Sequence, residues 1–185
     1  MNAIENIKTR NSHSKLIEPF PSKAEMKIVY ESAMRAPDHA NLKPSNFIEV
    51  TGKGLSKLSK VFENFVVDSK NEHNISKIEK YKNAPFRAPM IIILICDVRN
   101  HPKVPAVEQM MSTAAAAQNM LLALHALNYS AIWRTGMFAL NDDIIKYFNL
   151  NLNQKILGYL YVGTAIGKQK RIPNINIENH LTKWD

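Results

Sequence analysis

The stretch APMIIILICDV, residues 88–98, is the part of the sequence that decides the fold. Between Pro89 and Asp97 it holds seven consecutive apolar residues, four of which are isoleucine. A run without polar alternation is typical of a strand that is buried on both faces of its sheet. The run is far shorter than the roughly 20 residues that a membrane-spanning helix needs. The sequence therefore predicts a central strand with helices packed against it.

The segments on either side of this run alternate between helical and strand patterns. Ser22 and Glu25 form a capping-box pair at the start of one predicted helix, and the apolar residues that follow recur at helical spacing. Helices are predicted over residues 2–9, 22–36, 54–70, 106–128 and 141–150. Strands are predicted over residues 46–52, 88–98, 129–138 and 154–165. Because helices separate these strands and must cover the sheet, the pattern predicts an α/β or α+β sandwich with roughly four strands.

Length and composition limit the class of protein. With 185 residues, 45% of them hydrophobic, the chain is expected to form a single domain, residues 1–185, that buries its own core. Its single cysteine, Cys96, excludes a disulfide framework and, with no visible secretory signal, favours the reducing cytoplasm. The net charge of +8 is spread along the chain, so we interpret the lysines as a solvated surface rather than as a site for nucleic acid or membrane.

Three polar clusters interrupt the apolar pattern. They are TRNSHS at 9–14, RAPDHANLKPSNF at 35–47 and WRTG at 133–136, and each holds one arginine. A guanidinium fork matches the oxygens of a phosphate, and the hydroxyls of Ser12 and Thr135 can donate to the same oxygens. Together the clusters predict an anion site.

Other kinds of site find less support in the sequence. The six histidines show no spacing typical of metal ligands and one cysteine cannot form a thiolate site, so no metal is predicted. No G-x-S-x-G elbow and no glycine-rich phosphate loop follow a predicted strand. Aromatic residues are not interleaved with basic ones, which argues against a nucleic-acid platform. Asp38 and His39 are open to two interpretations, an acid–base pair or a turn after Pro37.

Taken together, the clusters resemble the FMN-dependent nitroreductase family, in particular its small bacterial NAD(P)H nitroreductase branch. The resemblance rests on RNS at 10–12, MRAPDHANLKP at 34–44, NAPFRAP at 83–89, HPKVPAVEQMMS at 101–112, IWRTG at 132–136 and KILGYLYVGT at 155–164. It implies a three-layer α+β sandwich, in which helices cover a central, mostly antiparallel sheet of four to five strands. It also implies a homodimer that holds one FMN in each of two clefts at the subunit interface.

The resemblance further implies which residues hold the phosphate end of FMN. Arg10 and Ser12 would bind the phosphate and the ribityl chain, with Asn11 contributing mainly through its backbone. Arg134 and Thr135 would complete the phosphate cradle. The family usually has a second arginine where this chain has Asn11, and that loss of charge would loosen the grip on the phosphate.

Other residues would lie near the flavin ring and the nicotinamide. Trp133 would bring its backbone near the flavin, while Arg35 and His39 would reach the flavin of the partner chain. The segment assigned to NAD(P) comprises Ala123, Leu124, His125, Ala126, Leu127 and Asn128. Ser45 stands where the family usually has an aromatic residue, which would open the pocket over the flavin.

The activity implied is that of an NAD(P)H-dependent flavin oxidoreductase. Hydride would pass from NADH or NADPH to FMN and the electrons then to a nitroaromatic, quinone or related small acceptor, by a ping-pong mechanism. No side chain is predicted to be an obligatory catalytic residue, because solvent can supply the proton. The alternatives are a flavin-binding sensor or storage protein without turnover and a small basic nucleic-acid-binding protein.

Overall fold

The computed structural model describes residues 2–167 and 170–184, which form one five-stranded sheet with helices on both faces. The strands are β1 (Leu16–Ile17), β2 (Ser45–Thr51), β3 (Met90–Asp97), β4 (Ser130–Arg134) and β5 (Gln154–Ala165). The helices are α1 (Ala3–Thr9), α2 (Lys23–Ala33), α3 (Lys53–Asp68), α4 (Glu72–Ile75), α5 (Ile78–Lys82) and α6 (Ala106–Ala126). Short 3₁₀ turns cover His39–Asn41, Ala84–Arg87, Gly136–Phe138, Ile145–Phe148 and Ile177–His180.

All strand pairs of this sheet are antiparallel. β3 lies between β2 and β5, and the other edge of β5 pairs with β4 and then with β1. β5 can serve three neighbours because it is 12 residues long. The nitroreductase-like α+β sandwich implied by the resemblance is confirmed in its strand number and its antiparallel pairing.

β3 is buried on both faces, as its unbroken apolar run predicts. All seven residues from Met90 to Cys96 are at most 2% exposed. Ile91, Ile93 and Ile95 join the core beneath α3, and the even-numbered residues join the core beneath α2 and α6. Alternate residues of a strand point to opposite faces, so one strand anchors both layers.

A capping box starts α2, and small side chains let α6 pack closely in the same layer. The Ser22 hydroxyl accepts from the backbone N–H of Glu25 at 3.3 Å, and the Glu25 carboxylate accepts from the Ser22 N–H at 2.8 Å, which confirms the predicted capping box. Ala116 and Ala117 are buried in the same core, so the α6 backbone can approach its neighbours closely. α2 ends at Ala33, three residues earlier than predicted.

The helix predicted over residues 141–150 is wrong except for one 3₁₀ turn, Ile145–Phe148. Asn141 does not cap a helix there, because its side-chain oxygen accepts from the Asp143 N–H at 2.9 Å in a local turn. Ile144 and Ile145 are buried, which explains an apolar pattern that imitates helical spacing. The strand predicted over 129–138 is also shorter, since Gly136 with φ of 70° opens a turn.

A bulge in β5 positions the end of β4. Leu157 is the extra residue opposite β3, and its carbonyl accepts from the Trp133 indole N–H at 3.2 Å. The neighbouring Gly158 has φ of +149°, and a Cβ there would lie 2.1 Å from the Trp133 indole nitrogen. Only glycine therefore lets the indole pack across β5.

Replacing Gly158 with alanine should destabilise the fold by about 2–4 kcal/mol, because a side chain would meet the indole and the backbone conformation disfavours one. Urea unfolding followed by tryptophan fluorescence and circular dichroism measures the change. Gly54→Ala is the matched control, since Gly54 lies in the first turn of α3 and its added Cβ would meet only a Val50 methyl at 3.2 Å. Equal unfolding midpoints for the two variants would contradict the role of Gly158.

Candidate functional site

The first predicted cluster lies along the outer edge of β4. Ser12 forms an isolated parallel bridge with Ala131, and the His13 N–H donates to the Ala131 carbonyl at 3.3 Å. These contacts hold the segment that follows α1 against the sheet. Arg10 Nη1 donates to Ser12 Oγ at 3.4 Å, so the two predicted phosphate ligands of this cluster share one turn.

Lys170 joins this turn from the other end of the chain. Its ammonium group donates to the Ser12 carbonyl, from 158 residues away in sequence. Among the described residues, no ion pair involves Arg10 or Lys170. Sequence reasoning missed Lys170, although the basic segment after β5 was the signal that could have identified it. We name this group of Arg10, Ser12 and Lys170 the edge cradle.

The end of α6 lies beside the edge cradle. The Thr9 hydroxyl donates to the Glu5 carbonyl at 2.7 Å and lies 3.0 Å from His125 Nε2, within hydrogen-bond distance. The Asn6 amide donates to the Leu122 carbonyl at 3.0 Å and also ties α1 to α6.

The segment predicted to bind NAD(P) is only partly accessible in a single chain. Ala126 and Asn128 are exposed, and the side chain of His125 faces α1. Leu124 is completely buried in the core between α6 and the sheet. Any contact that Leu124 makes with a ligand would have to come from its backbone.

Burial, and to a smaller extent nearby positive charge, lowers the pKa of two histidines beside the edge cradle. Burial lowers the pKa of His13 most, and the charges of Lys170, His125 and Arg10 lower it further. Burial also lowers the pKa of His125, and Arg10 adds to that change. Burial disfavours any charge on these two rings, and the neighbouring cations add to the cost of a positive one.

The second predicted cluster forms a stiff loop between α2 and β2. The Asp38 carboxylate accepts from the backbone N–H groups of Leu42 at 3.2 Å and Lys43 at 2.6 Å. The Ser112 hydroxyl donates to the Pro37 carbonyl at 2.7 Å and fastens the loop to α6. Asp38 thus supports the turn interpretation rather than the acid–base pair.

Arg35 and His39 lie at the surface of this loop. His39 Nδ1 is 2.7 Å from the Glu108 carboxylate in the first turn of α6. Arg35 borders an open polar cavity of about 630 Å³, whose wall includes Ser45 and Ser112. The structure therefore places both residues on the side of the molecule where α6 begins.

The third predicted cluster lies at the end of β4, three residues beyond the bridge with Ser12. That separation is about 10 Å at the usual rise of a strand. The Arg134 guanidinium carbon lies 5.3 Å from the centre of the Tyr161 ring, and Thr135 is exposed. Arg134 Nε is buried and has no acceptor among the described residues. The structure thus puts Arg134 at the end of β4 and Arg10 at the end of α1, beside the segment that pairs with β4, and gives the two arginines different neighbours.

Residues 7–164 match the family model described as the Nitroreductase family. The chain belongs to the nitroreductase family. The resemblance drawn from the three clusters is therefore confirmed. Among the described residues, no helix is both long enough and apolar enough to cross a membrane.

Individual relatives support the same assignment. The chain is 35% identical over 177 residues to "Putative NAD(P)H nitroreductase YdjA" of Escherichia coli K12, which covers 96% of this chain and 94% of that protein. A relative in Haemophilus influenzae is 30% identical over 172 residues, and the alignment covers 92% of this chain and 92% of that protein.

Solved structures confirm the nitroreductase-like fold. A nitroreductase-like family protein from Bacillus cereus superposes with a TM-score of 0.87 at 19% identity, covering 100% of this chain and 97% of that one. The FMN-dependent nitroreductase NfnB from Mycobacterium smegmatis, solved in complex with NADPH, superposes with a TM-score of 0.77 at 15% identity, covering 99% and 98%.

Acidification should destabilise the protein through His13 and His125. Their pKa values lie below the ordinary 6.5 in the folded chain, so the unfolded chain binds protons first as the pH falls. Stability from these groups is complete above pH 6.5 and is lost as the pH falls from there through the folded-state values. The Tm of His13→Gln should therefore fall less than the Tm of the wild type between about pH 7.5 and pH 5.

Differential scanning calorimetry at the two pH values measures this loss of Tm. His180→Gln is the control, because His180 is exposed in the C-terminal 3₁₀ turn, and it should lose as much Tm as the wild type. If the Tm of His13→Gln falls as far as that of the wild type, His13 does not contribute to the loss of stability on acidification.

Proposed function

We propose that the chain is a homodimeric, FMN-dependent oxidoreductase that uses NAD(P)H. The observation that carries the proposal is the edge cradle, in which Arg10 and Lys170 meet at Ser12 without a carboxylate partner among the described residues. Membership of the nitroreductase family makes a flavin phosphate the natural anion for this cradle.

The residues of the edge cradle fit a phosphate group. Arg10 offers a planar fork of donors, and Ser12 offers a hydroxyl in the same turn. The Asn11 amide donates to the Thr9 carbonyl at 3.3 Å, so Asn11 is left to contribute through its backbone. Lys170 supplies a second cation, which compensates for the arginine that Asn11 replaces.

The end of β4 would hold the next part of the cofactor. Trp133 is held by its bond to Leu157, and Thr135 offers an exposed hydroxyl beside it. A buried donor without an acceptor costs about 1–3 kcal/mol, so the unpartnered Nε of Arg134 favours a bound ligand nearby. We therefore propose that FMN extends along β4 from Ser12 towards Thr135.

When bound, FMN supplies the redox chemistry, taking hydride from NAD(P)H and passing electrons to a nitroaromatic, quinone or related small acceptor in a ping-pong cycle. The protein supplies position, charge and exclusion of water. Arg35 would bring positive charge to the ring, and the end of α6 around His125 would receive the nicotinamide. Ser45 stands where the family usually has an aromatic residue, and this difference predicts a more open pocket for small acceptors. The cavity beside Arg35 and Ser45 supports that prediction.

Exposed apolar side chains support a homodimer. α1 has no buried residue, and its Ile4 and Ile7 are 67% and 54% exposed. Val107 and Met111 of α6 are 49% and 65% exposed, on the part of the helix where His39 is bound to Glu108. Contact between two copies through these helices would cover the apolar surface and bring Arg35 and His39 towards the cofactor of the other chain.

The double variant Arg10→Ala, Arg134→Ala should be purified without yellow colour. Losing two charged donors should reduce the free energy of FMN binding by about 3–6 kcal/mol, which corresponds to roughly 10²- to 10⁴-fold weaker binding. Absorption spectroscopy measures the FMN content, and fluorescence titration of added FMN measures the affinity. Arg99→Ala removes an exposed arginine that follows β3 and should retain the colour. A folded double variant with one tightly held FMN per chain would overturn the proposed cradle.

Mixing the yellow wild-type protein with NADPH or NADH in the absence of oxygen should bleach the flavin absorbance within seconds. An added quinone or nitroaromatic compound should then restore the absorbance. The same sample should have about twice the chain mass of 21.0 kDa by light scattering. A flavin that stays oxidised with both nucleotides would exclude the enzyme and favour a binding protein without turnover.

A further inference from the structure

The loop between α2 and β2 holds three residues in a left-handed backbone conformation. Ala40, Asn41 and Lys43 have φ of 60°, 53° and 51°. Asparagine tolerates this conformation, whereas it is unfavourable for alanine and lysine because of their Cβ atoms. Lys43 is also followed by Pro44, and a proline favours extended backbone at the residue before it. The loop therefore depends on contacts from other residues to keep its shape.

Asp38 supplies those contacts from one side chain. Its carboxylate accepts from the backbone N–H groups of Leu42 at 3.2 Å and Lys43 at 2.6 Å, and its carbonyl accepts from the Asn41 N–H at 3.1 Å. Among the residues that the structure describes, neither the Leu42 N–H nor the Lys43 N–H has a backbone acceptor. Hydrogen bonds to a carboxylate are stronger than those to a neutral group, so Asp38 closes the His39–Asn41 turn firmly.

The two ends of the loop are fastened by other groups. The Pro37 carbonyl accepts from the Ser112 hydroxyl at 2.7 Å, and the Pro44 carbonyl accepts from the Asp97 N–H at 2.8 Å. These bonds fix where the loop leaves α2 and where it enters β2. The turn between them carries His39, so the direction in which this side chain leaves the loop depends on the carboxylate that closes the turn.

We propose that Asp38 is a positioning residue for the flavin site. It holds the left-handed turn so that His39 is presented to the FMN of the partner chain, an inference that rests on the proposed function. Glu108 binds the His39 ring at 2.7 Å, which orients the ring but does not fix the backbone that carries it. Asp38 itself touches no cofactor, because its carboxylate is turned towards the N–H groups of its own loop.

Amide hydrogen exchange, followed by NMR on the purified protein, measures the hold of Asp38 on the loop. The Leu42 and Lys43 amides should be protected in the wild type, and Asp38→Ala should lower their protection by about tenfold or more, because a charged acceptor is lost. Asp68→Ala is the matched control, since it removes a carboxylate that accepts from the Tyr147 hydroxyl at the end of α3 and should leave this protection unchanged. Unchanged protection in Asp38→Ala would overturn the proposal.

Fluorescence titration with FMN tests whether Asp38 acts through His39. Asp38→Ala and His39→Ala should each weaken FMN binding by about threefold to tenfold, as expected for the loss of one hydrogen bond. The double variant should bind FMN no more weakly than His39→Ala alone, since two residues that act through one contact are not additive. Additive losses in the double variant, or unchanged affinity in either single variant, would reject the proposal.

A glycine rescue separates this role from a general loss of structure. Ala40→Gly, added to Asp38→Ala, should recover part of the lost FMN affinity, because glycine adopts φ of 60° without a Cβ conflict. Ala36→Gly changes the same loop at a residue without positive φ and should recover none. Equal effects of the two glycines would contradict the proposed role. If Asp38→Ala does not fold, Asp38→Asn takes its place with the same outcomes, because its amide keeps one acceptor oxygen.

The wild type separates this inference from the proposed function. A wild-type protein that does not bind FMN would overturn both the proposed function and the role of Asp38 in it. A wild type that binds FMN, with variants that behave against the expectations above, would overturn the role of Asp38 alone.

Discussion

The double burial of β3 is the constraint on which the other layers of the molecule depend. Each buried side chain of this strand contributes about 1.5–3 kcal/mol relative to exposure, and its residues alternate between two separate cores. β2 and β5 must therefore pair with the two edges of β3, and helices must cover both faces of the sheet. β5 is long enough to carry β4 and β1 on its far edge, and this places the residues of the site.

The candidate site lies along the outer edge of β4 and at its end, where the Nε of Arg134 is buried without a partner among the described residues. Ser12 and Lys170 meet at the outer edge of β4, and Trp133 is held at its end by the bulge around Gly158. Pairing with the sheet fixes the backbone at Ser12 and Trp133. The charges of Arg10 and Lys170, in contrast, have no acidic partner among the described residues. A rigid frame with uncompensated charge is suited to hold an anionic cofactor at little cost in ordering.

Local patterns predicted the parts of the structure whose causes are local. The capping box at Ser22, the amphipathic face of α3 and the bounds of β5 were all readable, because capping and periodic burial act over a few residues. The helix predicted over 141–150 failed because Ile144 and Ile145 are buried by contacts with distant elements rather than by helical packing. The two-residue strand β1 offers too short a pattern to recognise, since only its pairing with the end of β5 defines it.

By itself the sequence determined the doubly buried strand, the helices around it, the three polar clusters and, through their motifs, the family. Apolar periodicity and motif chemistry reside in neighbouring residues, so no coordinates are needed to see them. Only the tertiary structure decided that Lys170 reaches Ser12, that His125 is bound to Thr9, and that Arg134 shares a cavity with Arg87. Those contacts join residues that are far apart along the chain, so local patterns cannot show them, and the first of them forms where β1 and the end of β5 meet at the edge of the sheet.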